Sequence, residues 1–341
     1  MFGDLRRRRR NLPVPLEDVR EAGTIVTPIS ARFSVPGGFA ISASALRVKK
    51  NIFPHFPTLP ASPVTQDCLM QASVSSPRGE SRAAKAARDV IEGVTNYPVW
   101  ATFAWQDIRQ RYKRSVLGPF WITLTMLVTI AGMGPLYGAL FKIDLHTFVP
   151  YLALGIITWG LLSSLILDGC ACFSAVETVV RSVRLPLTLH VMRAMWRNFV
   201  MFGHNILAYV PIMLFLGIAP KWTWLMAIPG ALLVLLAAFP ASIILGIFCT
   251  RFRDMQPIVG SIVQLAFFLT PIIWKPEALG ERAYLASFNP LAVFMEIVRG
   301  PIYGTIPSQN IYLGAIGITV VLYLIAAPLF VRFRSRIAFW I

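Results

Sequence analysis

Residues 222–250 read WTWLMAIPGALLVLLAAFPASIILGIFCT, a run without Asp, Glu, Lys or Arg. A bilayer core about 30 Å thick is crossed by roughly 20 helical residues rising about 1.5 Å each, so this stretch is long enough to span one. Working outward, five further charge-poor runs meet the same length. The expected crossings are about 117–141, 147–169, 199–219, 224–249, 257–274 and 311–331. None alternates strictly between apolar and polar residues, which argues against a membrane barrel. Backbone groups in hydrocarbon must be satisfied within their own segment, so the expected fold is an all-α integral membrane protein of six transmembrane helices.

Composition agrees with that reading. Of 341 residues, 56% are hydrophobic and 14% charged, against roughly a quarter charged in soluble domains. The formal charge of +16 invites a nucleic-acid reading, but its distribution points elsewhere. Residues 1–117 hold 18 Lys/Arg and 9 Asp/Glu, and residues 118–341 hold 14 and 7. Half of the basic residues lie in loops between spans. One side would carry Arg109, Arg111, Lys113, Arg114, Arg181, Arg184, Arg193, Arg197, Arg251, Arg253, Arg332, Arg334 and Arg336. The other carries Lys142, Lys221, Lys275, Arg282 and Arg299. The positive-inside rule then places both termini in the cytoplasm, and no nucleic-acid partner is expected.

Residues 1–80 contrast with the rest. They contain the Arg6–Arg10 run, nine prolines and no apolar window long enough for a span or a signal sequence. Pro54, Pro57, Pro60 and Pro63 recur at the three-residue turn of polyproline II. The segment reads as a disordered basic, proline-rich leader, with a docking peptide as the alternative. A start at Met70 would leave residues 70–341, and finding Phe2 in the mature protein excludes that start. Over 98–116, Val99, Trp100, Phe103, Ala104, Ile108 and Tyr112 form an apolar stripe ending in Arg109, Arg111, Lys113 and Arg114. That pattern suits an N-terminal amphipathic helix lying in the cytoplasmic membrane interface.

Single residues carry less. Cys68, Cys170, Cys172 and Cys249 lack disulfide or metal spacing and read as small apolar packing residues. His190 and His204 have no ligand-spaced companion, so neither a metal nor a catalytic group is expected. Asp168 reads as a charge at the end of the second span.

The segment Asp107–Ile122 (DIRQRYKRSVLGPFWI) closely resembles the start of the membrane domain in type-2 ABC export permeases, in the branch that exports polysaccharides: O-antigen, capsule and teichoic acid. RLPLT at 184–188, RFRDMQP at 251–257, FLTPIIW at 268–274, NPLA at 289–292 with Glu296 and Arg299, and RIAFW at 336–340 follow in order. The resemblance covers about residues 98–341. It implies a homodimeric transport subunit, not an enzyme, in the cytoplasmic (inner) membrane of a bacterium, moving a lipid-linked glycan with a separate ABC ATPase subunit. ATP and Mg would belong to that partner, and the chain itself has no G-x-x-x-x-G-K-[ST] loop. By the same resemblance Arg184, Leu185, Pro186, Leu187 and Thr188 form a short helix coupling to the ATPase. Residues 275–309 form a re-entrant segment between helices 5 and 6, of two short helices broken at Pro290 and Gly300-Pro301, with Glu296 and Arg299 pairing across one turn. Trp121, Tyr137, Phe267, Phe268 and Trp274 are candidates for lining the translocation path, because pyranose C–H faces stack on aromatic rings. The rivals are a type-2 ABC exporter of a drug or small lipid, and a membrane enzyme acting on lipid-linked sugars. The enzyme would need clustered acids or histidines at one membrane face.

Overall fold

The computed structural model describes residues 81–341, except 114, 116, 117, 119 and 178–184. The leader, the Met70 start and Cys68 lie outside the described residues, as do Arg114 and Arg184. Within the described residues all regular structure is helical.

Ser81 opens the first helix, α1 (Arg82–Thr95), by accepting a hydrogen bond from the Ala84 N–H at 3.1 Å. Asn96 links it to α2 (Tyr97–Tyr112), whose second residue is Pro98, a position where the missing N–H costs nothing. Next come α3 (Phe120–Phe141), α4 (Leu145–Ala171), α5 (Leu187–Ile206) and α6 (Tyr209–Leu216). Gly217 ends α6 in the left-handed region at φ 64°. A short 3₁₀ turn, Trp222–Met226, leads into α7 (Ala227–Arg251), followed by α8 (Met255–Leu269), 3₁₀ turns over Pro276–Phe288, α9 (Pro290–Tyr303) and α10 (Gln309–Trp340).

Five of these segments are long and apolar enough to cross a membrane: Phe120–Phe141, Leu145–Ala171, Leu187–Leu216, Trp222–Arg251 and Gln309–Trp340. The expected crossing 257–274 is not one helix of that length. α8 has 15 residues and stops at Leu269, with Thr270 extended at ψ 139°. Thr270 precedes Pro271, whose ring disfavours helical geometry in the residue before it. The helical segment that contains the crossing expected at 199–219 begins at Leu187. Arg193 and Arg197 excluded that stretch from a charge-free run, but both are paired with carboxylates, so the helix runs through them. α10 also continues beyond 331, past Arg332, Arg334 and Arg336, to Trp340, with Arg334 paired to Asp89.

α4 is the central helix. It packs on α3, α5, α7 and α9, and its buried residues include Leu152, Leu154, Ile157 and Leu161. α10 lies along α7. α3, α8 and α10 present large apolar side chains outward, among them Leu136, Leu140, Ile262, Leu265 and Leu324. Cys170, Cys172 and Cys249 are free and buried, in keeping with packing roles.

Candidate functional site

Pro186 is the N-cap of α5, so Leu187 and Thr188 form that helix's first turn. The expected short coupling helix is therefore the start of a 20-residue one. Leu185 and Pro186 are half-buried, while Leu187 and Thr188 are buried. What covers them is α1. The carboxylate of Asp89 accepts from the Leu187 N–H at 3.2 Å and the Thr188 N–H at 3.1 Å. It also lies 2.9 Å from Thr188 Oγ1 and accepts from Arg334 Nε at 2.7 Å. A carboxylate at a helix N-terminus meets unsatisfied N–H groups and the positive end of the helix dipole, so Asp89 caps α5 from another helix.

A second polar cluster sits beside it. Asp107 of α2 receives hydrogen bonds from Arg193 and, at 2.9 Å, from Arg197. Arg197 reaches on to Asp168 at 2.7 Å, and Asn198 Nδ2 donates to the same oxygen at 2.8 Å. Burial alone would raise the Asp107 carboxyl, but the hydrogen bonds and charges of Arg193 and Arg197 outweigh it and hold the group below the usual carboxylate range. Asp168 is thus a member of a network joining α2, α4 and α5. Its two carboxylates share Arg197, and with Arg193 on Asp107 the network holds two guanidinium groups against two carboxylates.

The stripe read on 98–116 packs largely on protein. Ala104 and Ile108 are buried against α5, Trp100 meets Trp196 edge-on at 5.6 Å, and Phe103 lies under the Arg193 guanidinium at 5.4 Å. Tyr112 is half-buried, and Arg109 and Arg111 are exposed.

At the other end of α4, Arg299 is 3% exposed. It donates to the Pro271 carbonyl at 2.6 Å and to Glu296 at 2.5 Å, and its guanidinium lies 4.2 Å from the Tyr151 ring centre. Tyr151 Oη is 3.1 Å from the carbonyls of both Pro271 and Trp274. These contacts fix the non-helical stretch after α8 and line a cavity of about 630 Å³ with Lys275 and Tyr303. The expected i, i+3 pair is formed. The expected breaks are not both there. Asn289 caps α9 through the Leu291 N–H, so Pro290 begins the helix, and α9 runs through Gly300-Pro301 to Tyr303. Pro301 falls in the last turn, where its missing N–H costs one bond, and Gly304 at φ 101° makes the actual stop.

The aromatic candidates do not gather into one wall. Phe267 and Phe268 meet edge-on at 5.3 Å, Phe267 meets Trp159 at 5.8 Å, and Trp274 Nε1 donates to the Phe268 carbonyl. Trp121 and Tyr137 are both on α3, and 16 residues of rise separate them by roughly 24 Å along its axis. Trp121 is exposed, and Tyr137 stacks on Phe141 at 6.0 Å. Among the described residues no three His, Cys, Asp or Glu groups converge to hold a metal ion.

Sequence reasoning passed over α1 and Asp89. Ala86, Asp89, Val90 and Gly93 stand at i, i+3, i+4 and i+7, one helical face of small residues with a single acid in it. That spacing was the available signal.

The sequence profile described as ABC-2 type transporter matches residues 99–303. A curated relative, the O-antigen export system permease protein RfbA of Myxococcus xanthus, is 24% identical over 245 residues, covering 68% of this chain and 91% of its own. A protein of the same name from Klebsiella pneumoniae is 26% identical over 197 residues, covering 55% of this chain and 73% of its own. The profile begins in α2 and ends at the last residue of α9, so it takes in the Asp107–Asp168 network, Arg299 with its partners and four of the five long apolar segments, while Asp89 and Arg334 lie outside it. This chain belongs to the ABC-2 type transporter family.

Proposed function

We propose that this chain is the permease subunit of an ABC exporter that moves a lipid-linked polysaccharide, of the O-antigen kind, outward across the cytoplasmic membrane of a bacterium. Two copies would enclose the path, and a separate ATPase, holding ATP and Mg, would drive it. The observation that carries this reading is the similarity to an O-antigen export permease along 91% of that relative's length. The chain would cross six times with both termini in the cytoplasm. The two polar clusters around Asp89 and Asp107 then lie on the basic, cytoplasmic side and the Arg299 cluster on the outer side. For the fifth crossing, α8 rises roughly 22 Å and the non-helical residues 270–274 would supply the remaining depth, with α9 re-entering from outside. Residues 1–80 would precede this unit as a leader.

The coupling role belongs to Arg184–Thr188, with Leu185 and Pro186 offered to the ATPase and Leu187 and Thr188 anchoring the segment inward. The aromatics Phe267, Phe268 and Trp274 would face the path between the two copies, with Trp121 and Tyr137 at its two ends. Proteoliposomes holding permease and ATPase test the function. Lipid-linked glycan loaded on the ATPase side should become accessible to a lectin on the other side only when ATP is hydrolysed. Glycan that stays inaccessible while a small lipid or drug is moved would overturn the substrate assignment.

A further inference from the structure

Asp89 joins three helices that are distant in sequence. Its side chain has no exposed surface, and every partner donates to it: Leu187 N–H and Thr188 N–H from the first turn of α5, and Arg334 Nε from the far end of α10. Thr188 Oγ1 lies 2.6 Å from the Asp89 carbonyl, so backbone and side chain of one α1 residue both hold the start of α5. Gly93, one turn further along α1, leaves no room for a Cβ against Thr188 Oγ1 and the Leu189 amide. α1 is therefore seated directly on that turn.

The three donors differ in how they can let go. The two amides belong to a helix N-terminus and would be left buried and unmet without the carboxylate. Arg334 keeps a third of its side chain in water, so on release it can exchange the carboxylate for water, which the two amides cannot. Such an arrangement has two states: α10 fastened to the start of α5, or α10 released with the cap intact.

We propose that Asp89 is a positioning residue, and that its pair with Arg334 is a latch that makes the end of α10 move with the segment Leu185–Thr188. The inference rests on the reading of that segment as the place where ATPase closure enters the permease. In wild type a push on Leu185 reaches α10 through Asp89. With the latch open it stops at α5, and ATP is hydrolysed without export. An Asn at position 89 offers one acceptor and one donor where two acceptors are needed, so it opens the latch and weakens the cap together. Arg334→Gln opens the latch alone.

The test uses the permease–ATPase complex in lipid nanodiscs, with Cys68 changed to Ser and spin labels at Lys85→Cys and Ser335→Cys, both exposed positions. The wild-type interlabel distance should form one narrow population. Arg334→Gln should raise the population of a longer distance by about tenfold or more, the worth of one charge-assisted hydrogen bond. It should also lower export about tenfold while ATP hydrolysis continues, and Asp89→Asn/Arg334→Gln should widen the interlabel distance no further than Asp89→Asn alone. Leu185→Asp is the companion variant. If Leu185→Asp stops export and Arg334→Gln does not, the latch is overturned and the coupling assignment stands. If Leu185→Asp exports normally, the coupling assignment falls and the latch falls with it.

Discussion

Arg299 shows how a charge is kept inside an apolar fold. It is 3% exposed, yet its guanidinium donates to Pro271 and Glu296 and covers the Tyr151 ring. Replacing it by Met would leave the Pro271 carbonyl and the Glu296 carboxylate without their donor. Arg299→Met should lower stability by about 3 kcal/mol, and Glu296→Gln, whose site keeps some water, by about 1 kcal/mol, both read by denaturation in detergent. The i, i+3 spacing of this pair is plain in the sequence. The Pro271 carbonyl is not, because backbone acceptors freed at a helix end carry no residue signature. Asp107 gives a pH dependence. Its folded carboxyl titrates below the unfolded one, so it stabilises at pH values above the ordinary carboxylate pKa, and that contribution is lost as pH falls through the lower folded value. Stability of Asp107→Asn should therefore be lower near neutrality and fall less steeply in acid, as a denaturant series from pH 7 to pH 3 would record. An acid limb as steep as wild type would contradict this.

At the scale of elements, α5 is where the sequence and the structure part. Charge-free runs located the apolar cores of α3, α4, α7 and α10, since the cost of a charge in hydrocarbon is large and local. The same rule says nothing of how far α5 extends before its apolar part, because Arg193 and Arg197 are paired with Asp107 and Asp168 across 86 and 29 residues of chain. No spacing rule sees a partner at that distance. α8 ends early for a nearer reason: Pro271 lies in the run, and its effect on Thr270 is readable in the sequence. α1 was legible only as a small-residue face, and its fit to α5 gives an expectation. Gly93→Val should cost about 2 kcal/mol by overpacking, seen as faster amide exchange over residues 82–95 with α7 unchanged. α9 gives another. Phe294 is 6% exposed, so a cysteine there should react slowly with a charged thiol reagent, whereas one at exposed Phe288 should react fast. Equal rates would remove α9 from the interior.

At the scale of the molecule, the described residues bury α4 and α7 and turn the apolar faces of α3, α8 and α10 outward. A face this extensive is covered by lipid or by another apolar surface. In the proposed exporter a second copy covers part of it, and chemical cross-linking in native membranes should trap a dimer through α3 or α8. The Asp107–Asp168 network lies at the C-terminal end of α4 and the Arg299 cluster at its N-terminal end, so the proposed topology puts them on opposite sides of the membrane. Composition and the order of short motifs carried the family from sequence. The dimer, the ATPase and the glycan rest on likeness to other permeases. The direct measurement is deletion of this gene in its own host, with surface polysaccharide and membrane-bound lipid-linked glycan assayed together. Loss of surface polysaccharide with accumulation of the lipid-linked form inside, both reversed by the wild-type gene, is the expected result, and unchanged surface polysaccharide in the deletion strain would contradict it.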